Sequence, residues 1–160
     1  MANIIATLTE RGLKSQISDE TLGEKLAGKS ITVYAGFDPT AKSLHIGNLL
    51  QIILLAQFQR HGHRPIALVG GATAMIGDPS GKSVERNLLS EDTIRENMGS
   101  IQKQLQHFLD FSGSNAAIMV NNAEWIGKFS FIEFLHDVGK HFRVGEMMGK
   151  ESVRKRLESD

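Results

Sequence analysis

Asp38, Thr40, His45 and Asn48 stand close together in the sequence, and Asp78, Lys82 and Arg86 form a second group further on. A carboxylate can hold an ammonium group or ribose hydroxyls, an imidazole or amide can donate to a phosphate oxygen, and Lys with Arg can neutralise a departing polyphosphate. Such a set suits phosphoryl or nucleotidyl transfer, in which a protein contributes orientation and electrostatic stabilisation.

The elements that must carry these groups alternate between strand and helix. Ile31–Tyr34 is β-branched and reads as a buried strand, and the Gly, Pro and small polar residues from Ala35 to Thr40 read as the turn after it. A helix is expected from about His45 to Arg60, with Leu49, Ile52, Ile53, Ala56 and Phe58 on a broad apolar face and Gly62 ending it. His45 and Gly47 then lie at a helix N-terminus, where unpaired N–H groups and the dipole favour phosphate. Arg64–Val69 is a short apolar run of the kind buried in a parallel sheet, and Gly70–Lys82 reads as a glycine-rich loop. Ser90–Leu109 predicts an amphipathic helix with Ile94, Met98, Ile101 and Leu105 in one stripe, and Ala116–Val120 a third strand. Two short helices are expected before the first strand, over Ile4–Leu13 and Glu20–Leu26, the second capped by Ser18-Asp19, and more short helices over Trp125–Leu157. The expected architecture is a three-layer α/β fold with a parallel sheet, and ligands at the C-terminal ends of its strands. Both groups of polar residues follow such strand ends.

Composition narrows the partners. At 160 residues the chain is long enough for one ordinary core. Lys plus Arg equals Asp plus Glu at 18 each, which points to neither a strongly basic nucleic-acid binder nor an acidic tail, although a local patch could still meet nucleic acid. There is no cysteine, so no disulfide framework or thiolate metal site is available. No apolar run approaches the ~20 residues that cross a bilayer, and the N-terminus is unlike a signal peptide, so a cytoplasmic protein without membrane contact is expected.

The segment Tyr34-Ala35-Gly36-Phe37-Asp38-Pro39-Thr40 with Ser43-Leu44-His45-Ile46-Gly47 resembles the signature of class I aminoacyl-tRNA synthetases, and within them the bacterial-type tyrosyl-tRNA synthetases. The likeness continues through Gly62–Thr73, Ile76–Lys82, Asn121-Asn122 with Trp125, and Asp137–Phe142, which is nearly the whole chain. It implies a Rossmann-like nucleotide-binding fold, of which residues 1–30 are N-terminal helices, 31–122 the first half of the nucleotide-binding fold and 123–160 a connecting helical segment. It also implies tyrosine, ATP with Mg2+, and tRNA(Tyr) as partners, and a homodimer. Carried over residue by residue, Tyr34 meets the tyrosine phenol, Asp78 its ammonium group, and Gly36 and Asn122 belong to the same pocket. Asp38 and Thr40 lie beside the nucleotide, His45 and Asn48 donate to the phosphates, Gly47 lets adenine and ribose approach, and Lys82 and Arg86 close over pyrophosphate.

Two departures qualify that expectation. The family pattern reads His-Ile-Gly-His, and here the fourth position is Asn48, an amide that donates but carries no charge. Weakened rather than abolished activity is expected, by roughly 1 kcal/mol. The family's second half-fold, its Lys-Met-Ser-Lys-Ser-like loop and its anticodon-binding region have no counterpart before Asp160, so the chain is expected to be an N-terminal fragment of a catalytic domain. Plainer roles stand beside these: His45 as a helix cap, Tyr34 as a core residue, Asp38 and Asp78 as turn formers, Lys82 and Arg86 as solvated charges. His61 and His63 sit at a helix end that favours a cation. Trp125 with Phe129, Phe131 and Phe134 reads as core or a subunit contact. Two other functions are open to these residues, a noncatalytic RNA-binding module on a synthetase-like scaffold and a small nucleotidyltransferase with a His-x-Gly-His motif.

Overall fold

The structure is a computed structural model, and it describes residues 3–76 and 89–157, the side chains of 152, 155 and 156 excepted. Three strands, β1 (Thr32–Phe37), β2 (Arg64–Val69) and β3 (Ile118–Asn121), form one parallel sheet in the order β1-β2-β3. The register sets Tyr34 beside Ile66 and Ile66 beside Ile118, and Gly36 beside Leu68 and Leu68 beside Val120. Within this sheet β1 is an edge, paired only with β2.

Side-chain alternation divides the sheet into two faces. Val33, Ala35, Phe37, Ala67 and Met119 turn towards α3 (Ile46–Arg60) and α5 (Glu91–Leu105), whose Ile52, Leu55, Ala56, Ile101 and Leu105 complete the main core. The opposite face begins at exposed Thr32 and Tyr34 and continues through partly covered Ile66, Leu68, Ile118 and Val120. α3 is apolar on a second side as well. Leu54 and Phe58 pack on a smaller cluster of Ile4, Leu8 and Leu26 from α1 (Ile4–Glu10) and α2 (Leu22–Gly28). The broad apolar face of α3 therefore serves two cores, and α1 and α2 dock on the helix, not on the sheet.

The turn from α3 into β2 needs its glycine. Gly62 has φ +85°, and the His63 N–H reaches back to the Phe58 carbonyl at 3.0 Å, closing the helix end in the left-handed manner that glycine adopts without strain. His63 is consequently carried inside, 1% exposed, tilted against Phe58, with Nδ1 facing the Ile31 N–H at 3.4 Å. Burial, then the neighbouring His61, lowers its pKa below the ordinary imidazole value. His63 is thus a neutral core residue, and the expectation of a dipole-stabilised cation does not hold for it. Because the unfolded imidazole binds its proton at higher pH than the folded one, stability is complete above the ordinary pKa and falls as pH drops from there through the folded value. Melting temperature should fall as pH drops below the ordinary imidazole pKa of about 6.5, and a His63→Phe variant should lose most of that slope in a thermal melt series.

Several elements differ from expectation for local reasons. β1 runs on through Gly36 and Phe37 because the Phe37 ring fills the core at 1% exposure, which extends the strand past its β-branched start and leaves its Tyr34 side uncovered. α2 begins at Leu22, since Asp19 Oδ1 accepts from both the Thr21 N–H and hydroxyl and forms a turn ahead of the helix. The Lys25 ammonium, with Thr21, pulls the Asp19 carboxyl down to about 2. α4 (Gly71–Ile76) replaces the first half of the expected glycine-rich loop. Ser90 caps α5 through the Thr93 N–H, the helix ends at Leu105 and not at Leu109, and β3 is displaced towards Asn121. Beyond it α6 (Ala123–Ile126), α7 (Phe131–Asp137), a 3₁₀ turn at Gly139–His141, α8 (Val144–Met148) and α9 (Glu151–Leu157) follow, with no fully buried residue among those described from 124 to 157. None of the described helices is long and apolar enough to cross a membrane.

Candidate active site

β1 ends at Phe37, and the chain crosses an exposed Asp38, a buried Pro39 and an exposed Thr40 before reaching α3. His45 is the N-cap of α3: its backbone is extended (φ −95°, ψ 171°), and its ring Nδ1 accepts from the Gly47 N–H at 3.0 Å. A Cβ on Gly47 would lie 2.9 Å from both Nδ1 and Cε1 of His45, so only glycine lets the ring fold over the helix start. Asn48 completes a capping box, its Oδ1 accepting from the His45 N–H at 3.2 Å. The cap and the phosphate-donor roles of His45 are compatible. With Nδ1 occupied as an acceptor, the neutral ring carries its proton on Nε2, which is left to donate. Asn48 in turn spends its oxygen on the cap and keeps its NH2 as the donor.

The end of β2 meets this loop. The Gly70 N–H donates to the Phe37 carbonyl at 3.0 Å, and a Cβ on Gly70 would stand 2.6 Å from Thr73 Oγ1 and 3.5 Å from Asp38 Oδ1. The first carboxylate of the sequence motif therefore lies beside the glycines that start α4. Asn121 and Asn122 approach from β3. Asn122, 8% exposed, accepts the Ala72 N–H at 2.7 Å, and Asn121 accepts the Ala123 N–H at 3.0 Å while lying so near Gly71 that a Cβ there would be 2.2 Å from its Oδ1. Asn122 is thus engaged in fixing the first turn of α4. A cleft of about 490 Å³ lies beside these strand ends, with Met75, Ile94 and Met98 among its apolar lining and Arg95, Glu124 and Lys128 among its charged lining.

Tyr34 is 73% exposed on the open sheet face, with Gly36 two positions on along the same side and no atom within 4 Å of where its Cβ would be. Among the described residues Tyr34 is therefore not part of the core. Asp78, Lys82 and Arg86 lie outside the described residues. Trp125, Phe129, Phe131 and Phe134 are all substantially exposed, with Phe129 and Phe134 in an edge-on contact, so among the described residues they are not core. Two amides that the sequence reading passed over touch the loop from α5: Asn97 donates to the Pro39 carbonyl at 2.8 Å, and Gln104 accepts the Leu44 N–H at 3.0 Å. The available signal was an amide at position 97 between Ile94 and Ile101 in an otherwise apolar stripe.

A parallel α/β sheet whose first strand leads into a histidine-capped helix, with a glycine turn from the second strand alongside, is the arrangement of a nucleotide-binding domain. Residues 26–160 match the family described as tRNA synthetases class I (W and Y), and the chain belongs to that family. It is 57% identical over 159 residues to a tyrosine–tRNA ligase of Rhodopirellula baltica, covering 99% of this chain and 36% of the relative. It is 52% identical over 161 residues to the tyrosine–tRNA ligase of Klebsiella pneumoniae, covering 38% of it. Among solved structures, a C-terminally truncated mitochondrial tyrosyl-tRNA synthetase of Aspergillus nidulans superposes with a TM-score of 0.81 at 31% identity, covering 99% of this chain and 48% of that one. The corresponding Coccidioides posadasii structure gives 0.79 at 32%, over 99% and 46%. The chain spans little more than a third of the length of the curated relatives that it matches.

Proposed function

We propose that the whole protein joins tyrosine to tRNA(Tyr) at the expense of ATP, and that residues 1–160 supply the nucleotide corner of its active site. In this reading 1–30 are a helical support, 31–122 the first half of the nucleotide-binding fold and 123–160 a connecting segment. A carboxylate oxygen of tyrosine attacks the α-phosphorus of ATP, the bond to pyrophosphate breaks, and the tyrosyl group then passes from the adenylate to a ribose hydroxyl of tRNA. The observation that carries the reading is the His45 cap. It holds Nε2 as a donor at the N-terminus of a long helix, beside Asp38 and Thr40, where a phosphate is favoured by N–H groups and dipole together. Tyr34 and Gly36 offer a hydroxyl and an open space on the neighbouring sheet face for the tyrosine side chain, and Asp78 is assigned to its ammonium group.

Mg2+ belongs to this reading as a companion of the ATP phosphates, and Lys82 and Arg86 as the cations that meet pyrophosphate. The exposed apolar residues of α7 and α8, among them Phe131, Ile132, Val144 and Met148, support a homodimer, and a cytoplasmic setting belongs to the same reading. The test is tyrosine-dependent exchange of pyrophosphate into ATP by the whole protein. Exchange with tyrosine and none with other amino acids is expected, and its absence would sink the proposal. In the same assay Asn48→His should leave the rate unchanged or raise it by up to about fivefold, because an imidazole can take over both the cap acceptor and the donor. A marked loss would mean that the asparagine has a role an imidazole cannot fill.

A further inference from the structure

Among the described residues, the segment from Pro39 to Leu44 makes no backbone-to-backbone hydrogen bond. It is nevertheless the piece of chain that follows Asp38, carries Thr40 and delivers His45 to the start of α3. Its backbone is held from outside, by two amide side chains of α5. Asn97 is 2% exposed and donates from Nδ2 to the carbonyl of Pro39, itself among the fully buried residues. Gln104, seven positions and so two turns further along the same helix face, accepts the Leu44 N–H at 3.0 Å and donates to the Lys42 carbonyl at 3.3 Å. The exposed Lys42–Glu96 pair at 3.3 Å adds an ion pair of the weak, solvent-screened kind.

The placement of Asn97 is informative. It stands three residues after Ile94 and four before Ile101, a position at which the stripe calls for an apolar side chain. A buried amide there costs desolvation unless it is satisfied, and the partner that satisfies it is the carbonyl between Asp38 and Thr40. Tyr34 and Gly36 lie on the face of β1 opposite the Val33, Ala35 and Phe37 face that packs with α5, and the course of β1 is set by its pairing with β2.

We propose that Asn97 and Gln104 are positioning residues for the nucleotide step: together they fix the Asp38–His45 loop in the shape that receives ATP, and they leave the tyrosine side of the site untouched. This rests on the function proposed above. The experiment uses the whole protein with Asn97→Leu, which suits the apolar stripe and preserves packing but removes the donor, Gln104→Ala, and Gln104→Glu, which keeps the acceptor for the Leu44 N–H. Pyrophosphate exchange, tyrosine affinity, melting temperature and amide exchange of the loop are measured on each. Asn97→Leu should raise KM for ATP or lower kcat by about tenfold or more while tyrosine affinity stays within about twofold. Gln104→Ala should cost about threefold to tenfold, Gln104→Glu should recover most of it, and the Leu44 amide should exchange at least about tenfold faster in Gln104→Ala than in the parent. ATP parameters within about twofold of the parent in Asn97→Leu would overturn the proposal, as would equal losses for ATP and tyrosine accompanied by a lowered melting temperature. A parent protein without tyrosine-dependent exchange would overturn the underlying function instead. In that event amide exchange, which needs no substrate, still decides whether the two amides hold the loop.

Discussion

Replacing His45 by alanine in the whole protein is expected to slow tyrosine activation by about 10²-fold to 10³-fold, the range for removing one donor aimed at charge that develops in a transition state. Tyrosine affinity should stay within about twofold, since His45 belongs to the start of α3 and its ring bonds the Gly47 N–H, whereas Tyr34 and Gly36 belong to β1. The cap complicates a simple reading of this variant, because alanine also gives up the bond from the Gly47 N–H and with it about 1 kcal/mol of helix stability. Asn resolves the two roles. His45→Asn retains a strong N-cap and should melt near the parent temperature, yet its short amide does not reach where Nε2 stood, so the rate should remain low. Rapid-quench measurement of adenylate formation, run beside a thermal melt, separates the outcomes; a fully active His45→Asn would reduce His45 to a cap.

Gly71→Ala is expected to be the most damaging single methyl in the described part of the chain. Its Cβ would lie 2.2 Å from Asn121 Oδ1, and that side chain cannot simply swing away because it accepts the first N–H of α6. Overpacking of this kind costs about 1–3 kcal/mol, and in a chain of this size each kcal/mol lowers the melting temperature by about 2–4 °C. Adding Asn121→Ala to Gly71→Ala should return part of the loss, since it vacates the contested space while giving up one cap bond. Strict additivity of the two changes would show that the clash is not between these groups.

What could be foreseen from the residues and what could not divides along physical lines. β2 matched its expected bounds because an apolar run closed by Gly62 and Gly70 leaves little choice, and α3 began at His45 because cap, glycine and periodicity agree there. β1 was underestimated because its continuation depends on a tertiary event, the burial of Phe37, that outweighs the turn preference of Gly36. The short α4 was read as loop because glycines mark turns in general, whereas here they admit Thr73 and Asn121 at close range. Of the site, the residues proposed to meet ligand were picked out by motif; Asn97, Gln104 and the supporting role of Asn122 were not, since side-chain bonds to distant backbone leave no periodic trace. The capping box of Asn48 was missed for a different reason. An asparagine where the family pattern has histidine draws attention to phosphate contacts, and its use in holding the helix start shows only in the geometry.

The edge position of β1 has a practical consequence for anyone producing residues 1–160 alone. One side of a six-residue strand offers its N–H and C=O groups without a ladder partner in this sheet, and Tyr34, Ile66 and Leu68 form an incompletely covered flank next to it. Such an edge is a template for pairing with another copy. Solubility of the isolated piece should therefore depend on its concentration, and a lysine at Thr32, an exposed position on that strand, is the substitution most suited to keeping it monodisperse.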